Sequence, residues 1–134
     1  MFRTEQDWIN AYRRQNALWI HDDNPLRPHA LLASGKHSSG FFNSRLVIES
    51  ETLLREAAAD LVLHFKRTGG DIESVDRVVG PQTGATKLAE FIASAITSIR
   101  RHHCEWASPA KAGEGDGKSM VFDDPNRKVL PGEN

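Results

Sequence analysis

The stretch Val78-Val79-Gly80-Pro81-Gln82-Thr83-Gly84-Ala85, running into Thr86-Lys87-Leu88-Ala89-Glu90-Phe91, decides the fold. Two β-branched apolar residues lead into a Gly-Pro turn, and a helical pattern opens at once. The pattern predicts a strand, a tight turn and a helix whose first turn carries Thr83 and Gly84. A helix N-terminus presents unsatisfied N–H groups and partial positive charge, so such a turn suits a phosphate or another anion. Gly84 has no Cβ, which lets a ligand approach the backbone closely. Many α/β proteins carry a strand-to-helix turn of this kind, so the stretch speaks to fold class before it speaks to function.

Working outward, Ser50-Glu51 opens a preceding helix with Leu54, Ala57, Ala58, Leu61, Val62 and Phe65 on one face, ended by Gly69-Gly70. Residues 71–76 are a connector. Beyond the turn, Leu88, Phe91, Ile92, Ala95, Ile96 and Ile99 mark the buried face of the following helix. Arg100-Arg101-His102 closes it, with cations placed against its C-terminal dipole. A short strand is expected around His103-Cys104-Glu105-Trp106. Successive strand residues face opposite sides and no second cluster stands at ligand spacing, so His102, His103 and Cys104 are assigned no metal. Residues 107–117 read as a loop whose single cation, Lys111, either closes over a substrate phosphate or is simply solvated. Ser119-Met120-Val121-Phe122 reads as a strand ending in Asp123-Asp124. The Pro125-Asn126-Arg127-Lys128 that follows makes this a hairpin turn rather than a Mg²⁺ site. The last residues, Pro131-Gly132-Glu133-Asn134, form a turn sequence that normally leads into another strand.

On the N-terminal side, Thr4 with Glu5 and Asp7 reads as a capped helix start. Trp8, Ile9, Tyr12, Asn16, Trp19 and Ile20 recur at helical spacing, which predicts a helix running up to the turn formers His21-Asp22-Asp23-Asn24-Pro25. Its aromatic stripe is expected to bury area in the core or against another subunit. Residues 29–43 read as a β-hairpin: two short apolar runs flank a turn containing Ser34, Gly35, Lys36 and His37. Phe41 and Phe42 then point to opposite faces of a strand, leaving one ring free to stack on a planar ligand.

The 134 residues suit one domain, with residues 1–50 and 51–134 as its two parts. Seventeen Lys and Arg balance eighteen Asp and Glu, which argues against a protein that holds nucleic acid through bulk positive charge. One cysteine, Cys104, allows no internal disulfide. A polar N-terminus and no apolar run of about 20 residues point to a cytoplasmic protein without a membrane span.

Four segments together resemble the orotate phosphoribosyltransferases, of the type I phosphoribosyltransferase fold. Leu32-Ala33-Ser34-Gly35-Lys36-His37-Ser38 through Phe41-Phe42-Asn43 resembles the family's N-terminal hood. The Val78–Gly84 stretch is similar to the strand and loop that hold the pyrophosphate of phosphoribosyl pyrophosphate (PRPP). Ala110-Lys111-Ala112-Gly113-Glu114-Gly115 resembles the mobile catalytic loop, and residues 119–134 resemble the hairpin before the family's central motif. The resemblance implies an α/β fold with a partial parallel sheet flanked by helices, an N-terminal helix and a hairpin hood. It also implies transfer of phosphoribosyl from PRPP to orotate, with Mg²⁺ carried by PRPP, in a homodimer. Lys111 would be the catalytic loop cation. Phe41 and Phe42 would belong to the orotate pocket, Ser34, Gly35 and Lys36 would shape the hood, and Thr83 and Gly84 would offer N–H groups to pyrophosphate.

The chain also departs from the family. Ala107 and Ser108 stand where members often carry Arg and Lys, and Ala33 where some carry Lys. The apolar strand, acidic pair and Thr-Thr-Gly-type loop that wrap the ribose 5-phosphate should follow Asn134, so the chain is expected to be cut off before its PRPP site and inactive alone. The missing strand predicts an oligomer or a poorly soluble monomer, because an unpaired sheet edge invites pairing. The alternative is a non-catalytic module of the same fold that binds a nucleotide or a partner.

Overall fold

In the computed structural model, residues 3–113, 119–126 and 128–134 are described. They form two compact units that meet in sequence at Ser50 and Glu51.

The first unit opens with α1, Glu5–Arg14. Its start is a complete capping box: the Asp7 N–H donates to Thr4 Oγ1, and the Thr4 N–H donates back to Asp7 Oδ2 at 2.8 Å. That backbone bond, helped by the Thr4 hydroxyl, holds the Asp7 carboxyl below its ordinary range. The helix does not run on to Ile20 as its spacing predicts. Asn16 takes a left-handed conformation, φ 54°, and terminates it. Trp19 and Ile20 instead lie on β1, Leu18–Ile20, which pairs antiparallel with β4, Gly40–Phe42. A strand partner outcompetes helical periodicity here.

Between them, β2 (Ala30–Leu31) pairs with β3 (His37–Ser38) around a Leu32–Lys36 turn. The expected hairpin is therefore real, but its second strand is His37–Ser38. The Phe41-Phe42 run belongs to the β1–β4 pair. A short helix α2, Ser44–Ile48, which the sequence reading omits, closes the unit.

The second unit begins with α3, Glu51–Arg67, burying Leu53, Leu54, Ala58 and Val62. A 3-10 turn, Ile72–Ser74, leads into β5, Arg77–Val79. Helix α4, Thr86–Arg100, crosses to β6, Glu105–Ala107, which pairs parallel to β5. This is a βαβ unit, and α3 packs on α4. Val62, Ile72, Ala93, Ile96 and Cys104 form the core, with Val78 and Trp106 against it. Leu61, Phe65 and Ile99, grouped with buried positions by periodicity, are exposed. Arg100 fastens the core's edge: its guanidinium donates to the carbonyls of Ile72, Glu73, Val75, His102 and His103.

Lys111 does not lie in a free loop. It sits on β7, Ala110–Ala112, paired antiparallel with β8, Ser119–Val121, opposite Met120. So β8 takes its partner from the N-terminal side, and residues 129–130 form no strand. The chain instead folds back onto β5. The Asp76 and Arg77 N–H groups donate to the Asn134 carbonyl at 2.8 and 3.0 Å. Arg77 makes a two-pronged ion pair with Glu133 at 2.9 and 3.0 Å, its side chain only 8% exposed.

That guanidinium, with the Leu130 N–H, pulls the Glu133 carboxyl from 4.5 to about 2. A depressed carboxylate stabilises the fold fully above its unfolded value, and the contribution fades as pH falls from about 4.5 towards 2. Thermal melts from pH 5 down to 2.5 should therefore show the wild type losing stability more steeply than Glu133→Gln. Parallel curves would rule the latch out.

Candidate functional site

The β5–α4 connection is the first candidate. Thr83 and Gly84 lie in the turn before α4 rather than in its first turn, with the Ala85 N–H donating to the Pro81 carbonyl at 3.1 Å. The Gln82–Thr83 peptide is cis. Ala85 precedes α4 and offers no side-chain cap, so the N-terminal N–H groups of α4 are left to solvent or a ligand. Thr83 and Gly84 are exposed. Around Gly84 an added Cβ would meet nothing within 4 Å, so this glycine is not demanded by the protein's own packing. The close approach lies at Gly80, where a Cβ would run into the Ala85 carbonyl oxygen and stand 2.8 Å from Ala89 Cβ. The sequence reading did not single out Gly80, the glycine that the packing of α4 on the end of β5 requires.

The turn is laced to the chain after β6. The Gly80 N–H donates to Ala107 O, and the Gln82 N–H to Pro109 O, at 3.0 and 2.9 Å. Gln82 Nε2 reaches Ser108 O at 3.1 Å, and the Thr86 and Ser108 hydroxyls meet at 2.7 Å. Ala107 is fully buried. Lys111 follows two residues after Pro109 and is exposed on β7.

The second candidate lies within the first unit. Trp19, Pro28, His29, Ala30 and Phe41 line an open pocket of about 250 Å³. Phe41 stands opposite Trp19 in the β1–β4 register, whereas Phe42 turns its ring edge to Tyr12 of α1 at 5.4 Å. The two rings thus separate as strand alternation requires: Phe42 meets Tyr12 while staying 60% exposed, and Phe41 walls the pocket. His29 stacks on the buried His21 at 4.1 Å and 11°. His21 Nδ1 accepts the Asp23 N–H and its Nε2 lies 3.0 Å from the Arg27 carbonyl, so Nε2 is the ring nitrogen placed to donate. Neither Trp19 nor His29 was singled out from sequence as a pocket residue, because Trp19 was read as helical. Ser34, Gly35 and Lys36 sit in the exposed β2–β3 turn. Gly35 has φ 76°, a conformation that favours glycine, and its N–H donates to Leu32 O at 2.9 Å.

Among the described residues, no group of three His, Cys, Asp or Glu side chains could hold a metal ion. Asp124 Oδ1 accepts the Asn126 N–H, as in an ordinary Asx turn. No helix among them is long and apolar enough to cross a membrane.

Solved structures share this arrangement. The crystal structure of orotate phosphoribosyltransferase from Francisella tularensis superposes over 85% of this chain with a TM-score of 0.56 at 16% identity. The enzyme of that name from Aeropyrum pernix does so over 87% with a TM-score of 0.55 at 21% identity. The chain has the type I phosphoribosyltransferase fold. It covers 50% and 58% of those two chains. In sequence it is similar to the orotate phosphoribosyltransferase of Caldicellulosiruptor bescii, 33% identical over 86 residues, or 64% of this chain. The chain spans about two fifths of that relative, 39% of its length. No family model matches it. That fold class is the one implied by the sequence resemblance.

Proposed function

We propose that this chain is the base- and pyrophosphate-facing portion of an orotate phosphoribosyltransferase-like enzyme of the cytoplasm, working as a homodimer. The observation that carries this reading is the uncapped 81–85 turn at the head of α4, laced to the segment that leads into Lys111. The likeness in sequence and fold to proteins named orotate phosphoribosyltransferase supports it.

In this reading Thr83 and Gly84 offer N–H groups to the pyrophosphate of PRPP, and Lys111 adds a positive charge to it. Phosphoribosyl transfer passes through a cationic, oxocarbenium-like state while pyrophosphate departs. The site therefore works by positioning two reactants and stabilising the departing charge. Phe41 supplies a ring face to the planar base, beside Trp19 and His29. Phe42 supports that strand through Tyr12. Ser34, Gly35 and Lys36 shape the rim of the hood. Mg²⁺ enters with the phosphates of PRPP; the described side chains do not fit a metal held by the protein, so none is assigned as its ligand.

Titration calorimetry with inorganic pyrophosphate and with orotate tests this. Lys111→Ala should weaken pyrophosphate binding about tenfold and leave orotate binding in place. Phe41→Ala should do the reverse, while Phe42→Ala lowers stability instead. Wild-type affinity for neither ligand would overturn the reading. Residues 1–134 contain no acidic-pair and Thr-Thr-Gly-type phosphate loop, so no orotidine monophosphate should form with this chain alone.

A second reading is a binding module without chemistry. It is favoured by Ala107, buried, and Ser108, whose hydroxyl is taken up by Thr86, at positions where the family often carries cations. Tight nucleotide binding without turnover in any longer form of the chain would select it.

A further inference from the structure

We propose that Gln82 is a positioning residue: it joins the 81–85 turn and the Lys111 strand into one mechanical unit, so that an anion held by the turn is felt at Lys111. The anion half rests on the function proposed above; the mechanical half does not.

The β5–β6 register ends at Val79 opposite Ala107. Beyond that point parallel strands ordinarily diverge, since each enters its own connection. Here they do not. The carbonyls of Ala107, Ser108 and Pro109, three in succession, all accept hydrogen bonds from the β5–α4 connection. Two of the three come from Gln82, through its backbone N–H and its Nε2. Pro109 has no N–H to give back, so its carbonyl is the only backbone hydrogen-bonding group it can offer. The hydroxyl pair of Thr86 and Ser108 ties the first residue of α4 to the same segment. Ala110 then begins β7 immediately. No unheld residue lies between the last carbonyl gripped by Gln82 and the strand that carries Lys111.

Gln82 therefore sits where displacement of the turn must displace Ala107–Pro109, and with them the entry of β7. A cationic side chain at position 108 could act on an anion directly. Ser108 brings no such charge, and its backbone carbonyl and hydroxyl serve the link. The coupling runs through two discrete attachments at Gln82 and one at Thr86, a contiguous physical connection rather than mere proximity.

Hydrogen exchange followed by mass spectrometry tests both halves on the intact chain. Ligand-free, Gln82→Glu keeps the side chain's shape but turns its donor into an acceptor facing Ser108 O. The Ala110–Ala112 amides should then exchange about fivefold faster than in wild type, with α3 unchanged. Gln82→Ala and Ser108→Ala should move the same amides in the same direction. Unchanged exchange at Ala110–Ala112 in all three variants overturns the link. With inorganic pyrophosphate, the wild type should gain protection at both the turn and Ala110–Ala112, and Gln82→Glu at the turn alone. Equal protection of Ala110–Ala112 in both proteins, or protection confined to the turn in wild type, overturns the transmission. If pyrophosphate protects nothing in wild type, the anion site falls and transmission with it, while the ligand-free comparison still decides the mechanical link.

Discussion

Gly80→Ala should destabilise the second unit by about 2–3 kcal/mol in urea denaturation, the cost of forcing a methyl group into closed space. The new Cβ would collide with the Ala85 carbonyl oxygen and press on Ala89 Cβ at 2.8 Å. Neither neighbour can swing away. The Ala85 carbonyl accepts the Ala89 N–H in the opening turn of α4, and Ala89 is itself buried. Relief must come from moving α4 away from the end of β5, which also disturbs the turn proposed to hold pyrophosphate. Gly84→Ala is the control. With nothing within 4 Å of its Cβ, it should change stability by less than about 0.5 kcal/mol. Equal losses at both positions would show that conformational freedom, not space, governs the turn.

Ile96→Ala should cost about 3 kcal/mol, because it opens a cavity among Val62, Ile72, Ala93 and Cys104 where Ile96 is 3% exposed. Against a total stability of about 5–15 kcal/mol for an ordinary domain, that loss is enough to populate unfolded chains on mild heating. Ile99, one helical turn on, is 45% exposed, and Ile99→Ala should cost under about 1 kcal/mol. Urea midpoints of the two variants compare them directly. Similar midpoints would mean that Ile99 is covered in solution by a surface absent from the isolated chain, as the proposed homodimer allows.

The contrast between Ile96 and Ile99 shows where sequence reading stops. Helical periodicity located α3 and α4 because each carries a long apolar stripe. It could not say which edge of the stripe faces the core, since that depends on the neighbour against which the helix packs. The strand–turn–helix at Val78 was legible because β-branched residues, Gly-Pro and a helical pattern stand side by side. The start of α1 was legible too, because Thr4 and Asp7 satisfy each other locally. The end of α1 was not. Trp19 and Ile20 continue the helical spacing, and only pairing with Gly40–Phe42, some twenty residues away, draws them into a strand. Asn16 carried the one local signal, as a residue that tolerates left-handed backbone. Lys111 was expected in a loop, and the strand it occupies instead depends on a partner, Met120, with residues 114–118 between them lying outside the described residues.

Arg100 has a meaning that its hydrogen bonds, part-buried to Ile72 and Val75 and exposed to the rest, do not advertise. A chain with one thiol cannot cross-link itself, yet this guanidinium gathers carbonyls on either side of a gap of more than twenty residues, from 72–75 and from 102–103. It works as a reversible staple: it ties together the segments that lead into β5 and into β6 without any dependence on redox state. A lysine would not replace it, since a single ammonium has three donors on one atom and cannot span carbonyls that a planar fork reaches from separate nitrogens.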